Sequence, residues 1–66
     1  MKIKALQLFE QGLKRSMGGT FKLRLNDEVD ASEADGIIAL KLPDGDRNVP
    51  KPIIEKLAKL GYVQIT

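Results

Sequence analysis

The residues best spaced for chemistry are Asp44, Asp46, Asn48 and Glu55, which match the first, third, fifth and twelfth positions of a calcium-binding loop. Such a loop needs glycine at its sixth position to turn sharply about the ion, and Val49 stands there instead. Pro50 and Pro52 stiffen the part of the chain that would have to wrap. The segment therefore reads as a polar turn leading into a helix, and no metal site is expected.

Covalent catalysis needs a hydroxyl or thiol beside a base of suitable pKa. The hydroxyls are Ser16, Thr20, Ser32, Tyr62 and Thr66, and the chain contains neither histidine nor cysteine. Lysine and carboxylate bases remain, but no spacing singles one out. Without cysteine and histidine there are also no disulfides and no thiolate or imidazole ligands for zinc or haem. Gly18-Gly19-Thr20 lacks the spaced glycine and lysine of a phosphate loop and reads as a helix stop. The expectation is a protein that is not an enzyme and carries no cofactor.

Charge is more informative by position than in total. The formal net charge is +2. Lys2, Lys4, Lys14, Arg15, Lys22 and Arg24 face only Glu10 in the first part of the chain, whereas Asp27, Glu28, Asp30, Glu33, Asp35, Asp44 and Asp46 face only Lys41 in the middle. A dipolar surface follows, with one basic and one acidic region.

The elements that position these groups are read from periodicity. Ile3, Leu6, Phe9, Leu13 and Met17 recur at spacings of three and four, which predicts an amphipathic helix over Lys2 to Met17, ended by Gly18 and Gly19. Thr20 to Leu25 alternates, with Phe21, Leu23 and Leu25 inward and Lys22 and Arg24 outward. A second strand is expected over Ile37 to Leu42, with Ile38, Leu40 and Leu42 inward. A third covers Tyr62 to Thr66, with Val63 and Ile65 inward. Between the first two strands, Asn26 to Gly36 reads as an acidic loop holding a short helical turn capped by Asp30 or Ser32. Pro43-Asp44-Gly45-Asp46 marks a turn, and a second helix runs from Pro50 to Leu60, closed by Gly61.

The predicted architecture is a single α+β domain over residues 1–66, with a small three-stranded sheet covered on one face by two helices in the order α-β-β-α-β. With no signal-peptide pattern and no apolar run longer than Ile37 to Leu40, a cytoplasmic protein with no membrane attachment is expected.

Function then rests on surfaces. A small binding protein is expected, acting as a regulator, adaptor or inhibitor by docking onto another protein. Its acidic loop (Asp27, Glu28, Asp30, Glu33 and Asp35) would meet a basic target, or Ile37, Ala39 and Tyr62 would meet an apolar one. The same apolar patch also suits a second copy of the chain, giving a homodimer, with another protein the first expectation. The alternative is a nucleic-acid-binding module that uses Lys22, Arg24 and Lys41 on the outer sheet face, with Tyr62 as a stacking aromatic.

Overall fold

Lys2-Ile3-Lys4-Ala5 alternates charged and apolar side chains, and in the computed structural model, which describes residues 1–66, it forms strand β1 (Lys2–Ala5) with Ile3 and Ala5 buried. This overturns the helix expected over Lys2 to Met17. Ile3 fits both periods, but the next inward residue is Ala5, while Leu6 and Leu8 are 42% and 59% exposed. Phe9 enters the core from a separate short strand, β2 (Phe9–Gln11). Gly12 to Lys14 take no regular structure, and a single 3-10 turn, Arg15–Met17, ends at Gly18. Gly12 would have weakened a helix from within, and no capping residue opens the segment.

β3 (Phe21–Leu23) pairs with β2 as a separate two-stranded ribbon and buries Phe21 and Leu23, but Leu25 lies beyond it and is exposed. The acidic segment is not a loop with a helical turn. Glu28-Val29-Asp30-Ala31 alternates outward and inward, and β4 (Glu28–Ala34) is the longest strand of the protein. Asp35 (φ 54°) and Gly36 (φ 78°) both adopt the left-handed conformation and join β4 to β5 (Ile37–Leu40) through a two-residue hairpin turn.

The turn after β5 is present, closed by the Gly45 N–H donating to the Leu42 carbonyl at 3.1 Å. β6 (Arg47–Pro50) follows, an element absent from the expected order. Helix α1 (Lys51–Lys59) then buries Ile54 and Leu57. Gly61 (φ 85°) ends it, with the Tyr62 N–H donating to the Leu57 carbonyl at 2.9 Å and the Gly61 N–H to the Ala58 carbonyl at 3.1 Å. β7 (Val63–Ile65) buries Val63 but leaves Ile65 42% exposed.

The main sheet is thus five-stranded and wholly antiparallel, in the order β6-β5-β4-β1-β7. It replaces the three-stranded sheet under two helices: there is one helix, and strands dominate. β5 and β7, which flank the helix in the chain, lie three strands apart in the sheet. β4 serves both halves, pairing through Glu28 to Asp30 with β1 and through Ala31 to Ala34 with β5. The apolar side chains facing inward from every strand and from α1 form a single core of 13 buried residues.

Candidate functional site

Two grooves flank the β2–β3 ribbon, which contributes a wall to each. The larger, ≈ 610 Å³, opens between β3 and the first half of β4 and ends at the turn after β5. Leu23, Val29 and Leu42 supply its apolar surface. Lys2, Lys22 and Lys41 line it beside Asp27, Glu28, Asp30 and Asp44. The smaller, ≈ 300 Å³, lies between β2 and α1 and is mostly apolar, with Phe9, Ile53, Leu57, Leu60 and Tyr62 inside and Glu10, Gln11 and Lys56 at its margin.

The strand alternation of β4 determines how the acidic residues are presented. Glu28 and Asp30 project outward on either side of the buried Val29, and Asp30 lies 3.8 Å from the Lys2 ammonium. Asp27 Oδ2 accepts the Arg24 backbone N–H at 2.8 Å, which fixes the bend between β3 and β4. Glu33 stands apart, bonded to Lys51 at 3.2 Å, and Asp35 occupies the hairpin tip. Only Asp27, Glu28 and Asp30 of the acidic set therefore share one groove.

The other expected site residues separate. Ile37 and Ala39 lie opposite Pro50 and Asn48 of β6 on the outer face of the main sheet. Tyr62 does not join them. It precedes β7 and packs its ring 5.5 Å from that of Phe9, which in turn meets Phe21 edge-on at 6.0 Å. Lys22 and Lys41 do come together in the larger groove, but Lys41 bonds Asp46 at 3.2 Å, and Arg24 is not among the lining residues. Four carboxylates beside these lysines repel a phosphate backbone, and no aromatic is there to stack a base.

Arg47 is the one buried charged residue, 8% exposed. Its guanidinium donates to the Gly45 carbonyl at 2.6 Å and to the Thr20 carbonyl at 3.3 Å, and pairs with Asp44 at 3.2 Å. These bonds tie the turn before β6 to the start of β3 and hold the end of the larger groove. The calcium-like residues are dispersed: Asp44 serves Arg47, Asn48 is in β6 and Glu55 in α1, and no cluster of three or more metal-type ligands forms.

Leu60, Leu57, Ile53 and Phe9 do not stand out as site residues in the sequence because each falls among apolar residues at helical spacing, a pattern that reads as core. The signal was present for Leu60, which ends its helix beside glycine, where a stripe residue no longer has a sheet to cover. Lys2, Leu23, Val29, Leu42 and Asp44 come together only through the pairing of β1 with β4 and the placing of the ribbon, which chain order does not announce.

Fold and grooves define a small antiparallel β protein with one helix, offering one charged and one apolar concavity to solvent. No protein-family model, no curated protein and no solved structure matches the chain. No helix is long and apolar enough to cross a membrane.

Proposed function

We propose that this protein acts by docking onto another protein, as a regulator, adaptor or inhibitor, and that it catalyses no reaction. The observation that carries this reading is the apolar groove between β2 and α1, where Leu60 stays 57% exposed beside the half-buried Tyr62. A concavity of this size accommodates one or two large apolar side chains, the kind of anchor that dominates protein interfaces. Lys56 at its margin and Lys59 in the last helical turn have no carboxylate within ion-pair distance, so acidic residues beside the anchor complement them. The partner is then a protein that presents an apolar side chain flanked by Asp or Glu. A cytoplasmic setting goes with this reading, supported by the lack of cysteine in so short a chain.

The test is Leu60→Glu. The side chain is exposed, so stability changes by only about 0.5 kcal/mol, and the circular dichroism spectrum stays that of the parent. Affinity for the partner co-purified from the native host falls at least about tenfold, as loss of an interface anchor requires. Lys56→Glu weakens it further by repulsion. Undiminished binding by both variants refutes the groove as the docking site.

A further inference from the structure

The larger groove holds an unfinished piece of sheet. In antiparallel pairing, successive residues turn their N–H and C=O groups to alternate sides. The Ala31 N–H donates to the Met1 carbonyl at 2.9 Å and the Ala5 N–H donates to the Asp27 carbonyl at 2.8 Å, so Asp27, Val29 and Ala31 turn their backbone toward β1. Glu28 and Asp30 turn theirs the other way. On that side β5 pairs only from Ala31 onward, and its last contact is the Lys41 N–H on the Asp30 carbonyl at 2.9 Å. The Glu28 N–H, the Glu28 carbonyl and the Asp30 N–H receive no backbone partner and open into the groove. β3 stands across it without hydrogen-bonding to β4.

We propose that this groove accepts an extended segment of a partner protein as an added strand on the free half of β4, and that the segment reads basic, apolar, basic. The backbone groups fix the mode of binding, because an exposed strand edge is satisfied by another strand. The side chains fix the pattern. A residue set opposite Val29 faces the floor made by Leu23, Val29 and Leu42, while its two neighbours lie beside the carboxylates of Glu28 and Asp30. β1 already shows this match from the other side, placing Lys2, Ile3 and Lys4 opposite Asp30, Val29 and Glu28. The lining lysines do not cancel the attraction: Lys41 is held by Asp46, Lys2 by Asp30 and Asp44 by Arg47, so Lys22 on β3 is the one lysine left to face Asp27 and Glu28. This surface shares no residue with the apolar groove at Tyr62, so either site can fail without the other.

The probe is a blocked peptide of about seven residues, a usual strand length, alternating lysine and valine. Backbone amide NMR and hydrogen exchange on the intact protein read the result. The amides of Glu28 and Asp30 move downfield and exchange at least about tenfold more slowly with peptide bound, because each gains an acceptor. Glu28→Gln combined with Asp30→Asn weakens binding about five- to tenfold, as two partly exposed charge contacts predict. A peptide alternating glutamate and valine does not bind, and N-methylation of the lysine–valine peptide along one edge abolishes binding. Unprotected Glu28 and Asp30 amides at about millimolar peptide, equal protection by the glutamate peptide, or indifference to N-methylation each overturn the proposal.

Discussion

Gly18 illustrates how a single position is fixed by its neighbours and not by its own segment. Two adjacent glycines read as a helix stop, and Gly18 does close the 3-10 turn at φ 104°. The stronger reason for glycine is Arg47: a Cβ on residue 18 would stand 2.6 Å from the Arg47 Cδ and 2.7 Å from the Asp46 carbonyl oxygen. Gly19, at φ 83°, has nothing within 4 Å of its added Cβ. Gly18→Ala therefore combines backbone strain with a clash against the one buried guanidinium and is expected to cost about 3 kcal/mol, against about 1 kcal/mol for Gly19→Ala. Urea unfolding of the two variants separates the contributions, and equal losses would show that Arg47 yields freely. The importance of Arg47 was not legible in sequence, where it was one of several cations near a turn. Burial comes from the meeting of the turn after β5 with the start of β3, 27 residues earlier in the chain.

At the level of elements, legibility followed the locality of the cause. α1 was readable because its prolines, apolar stripe and terminal glycine lie within one continuous segment. β5 was readable from Ile38 and Leu40, and the alternation of Phe21 with Leu23 located β3. The first segment misled because Ile3, Leu6 and Phe9 satisfy a helical period, and only the availability of β4 and β7 as partners makes Lys2–Ala5 a strand. The acidic segment misled for the opposite reason. Its charge suggests a loop, and Asp35-Gly36, a standard two-residue hairpin signal, is equally suited to ending a helical turn. That turn governs the register that buries Ile38 and Leu40 and leaves Glu28 and Asp30 outward. The Gly36 carbonyl also accepts the N–H of Lys51 at 2.8 Å, linking hairpin to helix. Gly36→Ala is expected to lose about 1 kcal/mol because φ is 78°, whereas Asp35→Asn changes stability by under about 0.5 kcal/mol, asparagine being equally at home in this turn. Thermal unfolding of both variants checks this. A tolerated alanine would mean the hairpin register is set by strand pairing alone.

For the molecule as a whole, the decisive fact is that one core draws on every strand and the helix. Ile3 and Ala5 come from β1, Phe9 from β2, Phe21 and Leu23 from β3, Val29 and Ala31 from β4, Ile38 and Leu40 from β5, Val49 from β6, Ile54 and Leu57 from α1, and Val63 from β7. Removing any one of these elements takes buried residues out of that interior, and a chain this short has little surplus stability to lose. Three of the four ion pairs join side chains that are both exposed and contribute little, leaving burial as the main support. Unfolding is therefore expected to be two-state, with coincident transitions by circular dichroism and Tyr62 fluorescence. A fragment spanning residues 1–50 is expected to remain unfolded although it retains six of the seven strands, because it lacks Ile54, Leu57 and Val63 and leaves β1 without its β7 partner. Adding the complementary peptide, residues 51–66, should restore dispersed amide resonances by refilling the same interior. A fragment that folds by itself would instead place the stability in the β4–β5–β6 meander and make α1 an appendage, and the apolar groove beside Tyr62 would then belong to a detachable element.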